Sequence, residues 1–241
     1  MATLRPPPFS SLFGEGFAGL ELVRLAASWQ SLGRLPRGSG TVLLCPGFSG
    51  DDYSMLPLRR FLRGLGYDAR SWGLGRNRGD VPGLIDRLGD RIAATTDGSG
   101  APVTLLGWSL GGYIAREAAR ERPAIAREAA RERPAAVNRV ITLGSPVIGG
   151  PRYTQLAPFY RLGGMDLTAV EAEIAARAEV PLEVPVHAVY SRRDGVVAWE
   201  ACVDRREALA ENIEVSATHF GLGVSAEVYR IIAERLARNG S

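Results

Sequence analysis

Apolar positions along the chain alternate between two patterns. Compact apolar runs fall at 41–45, 67–72, 103–108, 139–143, 186–190 and 213–216. Their length and branched or aromatic content are those of buried strands. Between them, apolar residues recur at helical spacing. In 53–65 they are Leu58, Phe61, Leu62 and Leu65, with Gly66 as the stop. Similar patterns run through 81–94, 110–133, 168–178, 198–210 and 224–238. Strands separated by helices imply parallel pairing with right-handed crossovers. The pattern predicts an α/β fold, a doubly wound, mostly parallel sheet of about six strands. Active sites in such sheets lie at the carboxyl ends of the strands. An amphipathic segment, 12–32, precedes the first strand and carries Glu15, Glu21 and Arg24. It is expected to dock on the domain, with a membrane surface as the other role open to it.

One segment repeats verbatim. Residues 114–124 read IAREAARERPA, and 125–135 read the same again. The tandem duplication 114–135 is rich in helix formers, and eleven residues are about three helical turns. A proline inside a helix loses a backbone bond and costs about 3 kcal/mol. A kink or break is therefore expected at Pro123. The second copy could lengthen the helix, loop out, or carry its distal half into a second subunit as a domain-swapped homodimer.

The chain has 241 residues, which suits a single domain, 1–241, with 151–181 as a short cap segment. Hydrophobic residues make up 46 % and charged ones 23 %, which excludes disorder and fibrous classes. Cys45 and Cys202 are too few for a disulfide scaffold and are expected to be free thiols. With only two histidines besides, neither a metal site nor an organic cofactor is expected. The net charge is +3, from 29 basic residues, all arginine, against 26 acidic ones. The signs are interleaved rather than gathered in a stripe, so no nucleic-acid partner is expected. No secretory signal or membrane-spanning run is evident, and the chain reads as cytoplasmic. A G-x-G-x-x-G at 14–19 has no strand before it, which argues against dinucleotide binding.

Candidate chemistry centres on Gly107-Trp108-Ser109-Leu110-Gly111. This G-x-S-x-G follows a predicted strand and opens a predicted helix, the setting of a nucleophile elbow. A serine hydroxyl needs a base. His219 follows the sixth strand, whereas His187 lies inside the fifth and reads as structural. The base needs an orienting carboxylate. Asp194, just after the fifth strand, is the candidate, with Asp204 and Glu200 in reserve. Two oxyanion donors are required. The N–H of Leu110 supplies one, and that of Phe48, in the glycine-rich turn after the first strand, supplies the other.

These motifs resemble the α/β-hydrolase superfamily, in its serine esterase and lipase branch. The likeness rests on CPGFSG at 45–50, GWSLGG at 107–112, SRRDGVV at 191–197 and THFGLG at 218–223. TLGSPVIGG, 142–150, is similar to the loop after the next strand in bacterial lipases. The resemblance implies a strand order 2-1-3-4-5-6 and ester hydrolysis through an acyl-enzyme on a small-molecule ester. The order Ser109, Asp194, His219 is typical of the superfamily. Acyl transfer, C–C bond hydrolysis, perhydrolysis and a catalytically silent scaffold are the competing readings. Trp108, Phe159, Tyr160, Leu162 and Met165 are candidates for the substrate pocket.

Overall fold

The computed structural model describes residues 4–129, 136–162 and 164–238, with side chains of 122–129 excepted. Two N-terminal helices, α1 (Leu12–Glu15) and α2 (Ala18–Leu32), precede the first strand, β1 (Thr41–Cys45). Then follow α3 (Leu56–Gly64), β2 (Asp68–Ser71), α4 (Val81–Ser99), β3 (Val103–Trp108), α5 (Leu110–Ala129) and β4 (Val137–Leu143). Between β4 and β5 lie α6 (Ala157–Leu162) and α7 (Leu167–Arg177). The chain closes with β5 (Val186–Tyr190), α8 (Trp199–Cys202), β6 (Ala210–Glu214) and α9 (Ala226–Ala237).

The six strands form one sheet in the order β2-β1-β3-β4-β5-β6, and every pair is parallel. This is the order expected from the resemblance. Successive strand residues point to opposite faces, so β1 feeds two cores. Val42 and Leu44 pack with Leu25, Leu58, Leu62 and Tyr229 on one face. Leu43 and Cys45 pack with Leu84, Leu88, Ile92 and Ile114 on the other. Both faces are covered, which is why β1 is apolar without alternation. Cys45 and Cys202 are both free and buried. Among the described residues no helix is long and apolar enough to cross a membrane, and no group of side chains could hold a metal ion.

The N-terminal segment docks on the domain, with Leu25 and Leu32 buried against the α3–α9 face. Two expectations need correction. The pattern over 198–210 yields only the short α8, and then a turn. Asp204 exchanges two hydrogen bonds with the Asn212 side chain, 2.7 and 2.8 Å, and its carboxylate takes the Arg116 guanidinium at 2.8 Å. Those tertiary bonds outweigh the helical preference of the segment. Of the kink or break expected at Pro123, the break is absent, since α5 continues to Ala129. Strong helix formers on both sides of the proline carry the backbone through it. The end of the second repeat, 130–135, lies outside the described residues, and with it the path of the return to β4. Nothing among the described residues favours exchange of this helix between subunits.

The first copy of the repeat docks through a buried charge network. Ile114, Ala115, Ala118 and Ala119 enter the core. Arg116 and Arg120 are 2 % and 4 % exposed, yet each is fully engaged. Arg116 bonds Asp204, Glu117 and Glu207, and Arg120 bonds Glu117 and Glu207, all within 3.0 Å. Burial works against the Arg116 charge, but these carboxylates outweigh it and hold its pKa above the ordinary arginine value.

Candidate active site

The loops leaving β1, β3, β5 and β6 meet at the carboxyl end of the sheet. Ser109 sits between β3 and α5 with φ of 53°, one of two non-glycine residues with positive φ among those described. Such backbone costs about 1–3 kcal/mol and persists where its surroundings enforce it. The turn is enforced by close approach. A Cβ at Gly107 would overlap the backbone of Gly111 and Gly112, and one at Gly111 would overlap the Cys45 and Pro46 carbonyls. The Ser109 N–H donates to the Leu143 carbonyl at 2.7 Å, tying the elbow to the end of β4.

Asp194 and His219 are brought together from the ends of β5 and β6. His219 Nδ1 lies 2.7 Å from Asp194 Oδ2, and the Asp194 side chain is 0 % exposed. The other carboxylate oxygen accepts the N–H groups of Val196 and Val197 at 2.9 and 2.7 Å. A carboxylate bound in this way makes Nδ1 the protonated nitrogen and leaves the Nε2 lone pair free. Gly144, at φ of 55°, lets the loop after β4 pass against this pair. A Cβ there would stand 3.0 Å from Asp194 Oδ2 and 3.2 Å from His219 Nδ1. Because Leu143 also receives the Ser109 N–H, a single turn touches both the serine and the Asp–His pair. Of the other candidates, His187 bonds Glu211 at 2.9 Å in the sheet. Asp204 belongs to the arginine network, and Glu200 lies on α8.

The turn after β1 lies directly over the elbow. A Cβ at Gly47 would be 3.3 Å from Ser109 Cβ. The turn is laced to the loop after β2 by Asn77, which is fully buried. Its side-chain nitrogen donates to the Pro46 carbonyl at 2.9 Å, its own carbonyl accepts the Ser49 N–H at 2.7 Å, and its N–H reaches the Gly50 carbonyl at 2.9 Å. Nothing in the sequence marked Asn77, since its partners lie some thirty residues away. Among the described residues, neither the Phe48 nor the Leu110 N–H donates a hydrogen bond.

A cavity of about 350 Å³ opens on Ser109 and Leu110. Phe48, Tyr160 and Met165 line it. The Phe48 and Tyr160 rings meet edge to face at 5.8 Å, joining the β1 turn to α6. Three candidates for the pocket fall elsewhere. Phe159 and Leu162, three apart on α6, share its outer face and are 70 % and 87 % exposed. Ala157 and Tyr160 share the inner face. Trp108 lies against His219 instead, with ring centroids 5.9 Å apart.

The comparisons agree with this architecture. The model of the Alpha/beta hydrolase family matches residues 42–234. No curated protein sequence matches the chain. Among solved structures, Bacillus licheniformis lipase BlEst2 is similar at TM-score 0.61 and 16 % identity, over 84 % of this chain and 94 % of that one. The product of gene lin2722 from Listeria innocua is similar at TM-score 0.60 and 14 % identity, over 85 % and 96 %. A monoacylglycerol lipase from Paleococcus ferrophilus is similar at TM-score 0.58 and 16 % identity, over 85 % and 97 %. With the family model spanning β1 to α9 and the parallel sheet ordered as described, this chain belongs to the alpha/beta hydrolase family.

Proposed function

We propose that this hydrolase cleaves carboxylic esters with an apolar acyl part, using Ser109 as nucleophile, His219 as base and Asp194 as its orienting partner. The observation that carries the reading is the buried 2.7 Å bond between Asp194 and His219, delivered to the strand ends where the strained Ser109 turn lies. Asp194 accepts the Nδ1–H, so Nε2 can take the Ser109 proton as the hydroxyl oxygen attacks the ester carbonyl. The carbonyl oxygen becomes an oxyanion, and the unengaged Leu110 and Phe48 N–H groups are its donors. The N-terminus of α5 adds a favourable field for that charge. His219 then protonates the leaving alkoxide, and the C–O bond breaks to give acyl-Ser109 and alcohol. Water, deprotonated by His219, attacks the acyl carbon; the bond to Ser109 Oγ then breaks, His219 returns the proton to that oxygen, and the acid is released. The apolar residues lining the cavity support an acyl chain as the group bound beside the serine.

Hydrolysis of p-nitrophenyl esters across acyl lengths tests the reading. Ser109→Ala is expected to lower kcat by about 10⁴-fold or more. Unchanged activity in that variant would overturn the nucleophile. A native chain inactive on every ester would shift the reaction to acyl transfer, C–C bond hydrolysis or perhydrolysis.

A further inference from the structure

Glu15, in the N-terminal segment, belongs to neither the sheet nor the catalytic loops, yet its carboxylate lies between two of them. One oxygen, Oε1, accepts the Gly195 N–H at 2.7 Å and the His219 N–H at 3.0 Å. The other, Oε2, accepts the Phe220 N–H at 2.9 Å. Gly195 directly follows Asp194, and His219 donates its own backbone N–H. A single side chain therefore bridges the loop that carries the acid and the loop that carries the base. Glu15 is 7 % exposed. Burying a carboxylate is costly unless hydrogen bonds compensate. Here three N–H groups do so, and each of these bonds is of the stronger charge-assisted kind.

The surroundings are shaped to the bridge. A Cβ at Gly195 would meet the Ser11 carbonyl and stand 3.0 Å from Glu15 Oε1, so the acid loop reaches the carboxylate only with glycine there. Glu21, one turn into α2, extends the same arrangement by accepting the Thr218 N–H at 3.1 Å. The N-terminal segment thus grips the histidine loop at 218, 219 and 220 and the acid loop at 195. Neither loop is held to the other by strand pairing at these positions. Their separation decides whether the Asp194–His219 bond stays at hydrogen-bonding length.

We infer that Glu15 is a positioning residue for the Asp194–His219 pair: its carboxylate fixes the distance between acid loop and base loop. The inference rests on the proposed catalytic roles of these two residues. It gives the N-terminal segment a part in the chemistry that the family match, which begins at residue 42, does not assign.

The test compares Glu15→Ala, Glu15→Gln and Glu15→Asp with the native chain. Phe13→Ala, an exposed position on the same helix, and Ser109→Ala serve as controls. Two readouts are taken: kcat and KM on a p-nitrophenyl ester, and the low-field proton resonance of His219 Nδ1 by NMR. Glu15→Ala is expected to lower kcat about 10- to 100-fold with KM changed less than about twofold, and to shift or broaden the low-field resonance. Glu15→Gln keeps an acceptor for Gly195 and His219 and should lose less. Glu15→Asp, one methylene short, should lose more than Gln. Phe13→Ala should match the native chain in both readouts. If the Ala variant does not fold, the Gln and Asp variants decide. A folded Glu15 variant set with native kcat and an unchanged resonance would overturn the inference, as would a loss confined to KM. If the native chain proves inactive on esters, or Ser109→Ala stays active, it is the ester reading that has failed, and the resonance alone then decides the clamp.

Discussion

The Trp108 indole N–H donates to the His219 carbonyl oxygen at 3.1 Å, so the residue before the candidate nucleophile holds the loop of the candidate base. Trp108→Phe keeps an aromatic ring beside the imidazole and removes the donor together with the second fused ring. A lost hydrogen bond of this kind is worth about 1 kcal/mol. We expect kcat/KM to fall roughly fivefold, with a small drop in urea midpoint. A native kcat/KM in a stable Phe variant would show that the bond does not matter to His219.

Asp194→Asn should be far more damaging. The Asn amide would face His219 Nδ1 as a donor, forcing the ring into the tautomer whose Nε2 is already protonated. The expected loss in kcat is about 10⁴-fold, with circular dichroism unchanged. A loss of less than tenfold would remove Asp194 from its role.

Arg116→Ala leaves Asp204 with one cation fewer and takes two buried bonds from Glu117 and Glu207. Breaking a buried ion pair costs about 3–5 kcal/mol, because the stranded charge remains in a dry site. Urea titration should register that loss. Ester hydrolysis at low denaturant should persist, since the network does not touch Ser109. A cost below about 1 kcal/mol, the scale of a surface pair, would mean that water reaches the network.

Acid should weaken the sheet edge formed by β5 and β6. Arg235 bonds Glu211 at both carboxylate oxygens and, against some burial, lowers its pKa from 4.5 to about 2. A depressed carboxylate contributes stability above its unfolded pKa, and that contribution is lost as pH falls from about 4.5 toward about 2. His187, beside it, has its pKa lowered from 6.5 chiefly by burial, despite Glu211. The folded state resists protonating it, so stability also falls as pH drops below 6.5. Both signs agree. Glu211→Gln should flatten the acid limb of a urea-midpoint profile below pH 4.5, and an unchanged limb would place the acid sensitivity elsewhere. The effect is modest, because the Glu211 side chain is 41 % exposed and solvent screens it.

The strands and the serine turn were legible because local rules write them, whereas the strand order followed from the family resemblance. Thr41–Cys45 coincides with the apolar run, since a strand covered on both faces admits no polar alternation. Gly107 and Gly111 are readable because no larger residue fits, the first against the Gly111 and Gly112 backbone and the second against the Cys45 and Pro46 carbonyls. What escaped depends on distant partners. Glu15 reads as one polar residue on an amphipathic helix until Gly195 and His219 arrive 180 and 204 residues later. Arg116 reads only as one helix former of the repeat until Asp204 and Glu207 engage it. The overestimated helix at 198–210 failed for the same reason, since Asn212 and Arg116 claim Asp204 for a turn.

The Glu15 bridge also bears on the order in which the molecule becomes competent. Loops closed over so many residues are entropically slow to form. A growing chain can pair β1 with β3 and set the serine turn long before residue 219 exists. The bridge can close only afterwards, when the helix before β1 meets the loop after β6. A nascent chain stopped short of residue 219 therefore carries a formed elbow without the loop that Glu15 grips.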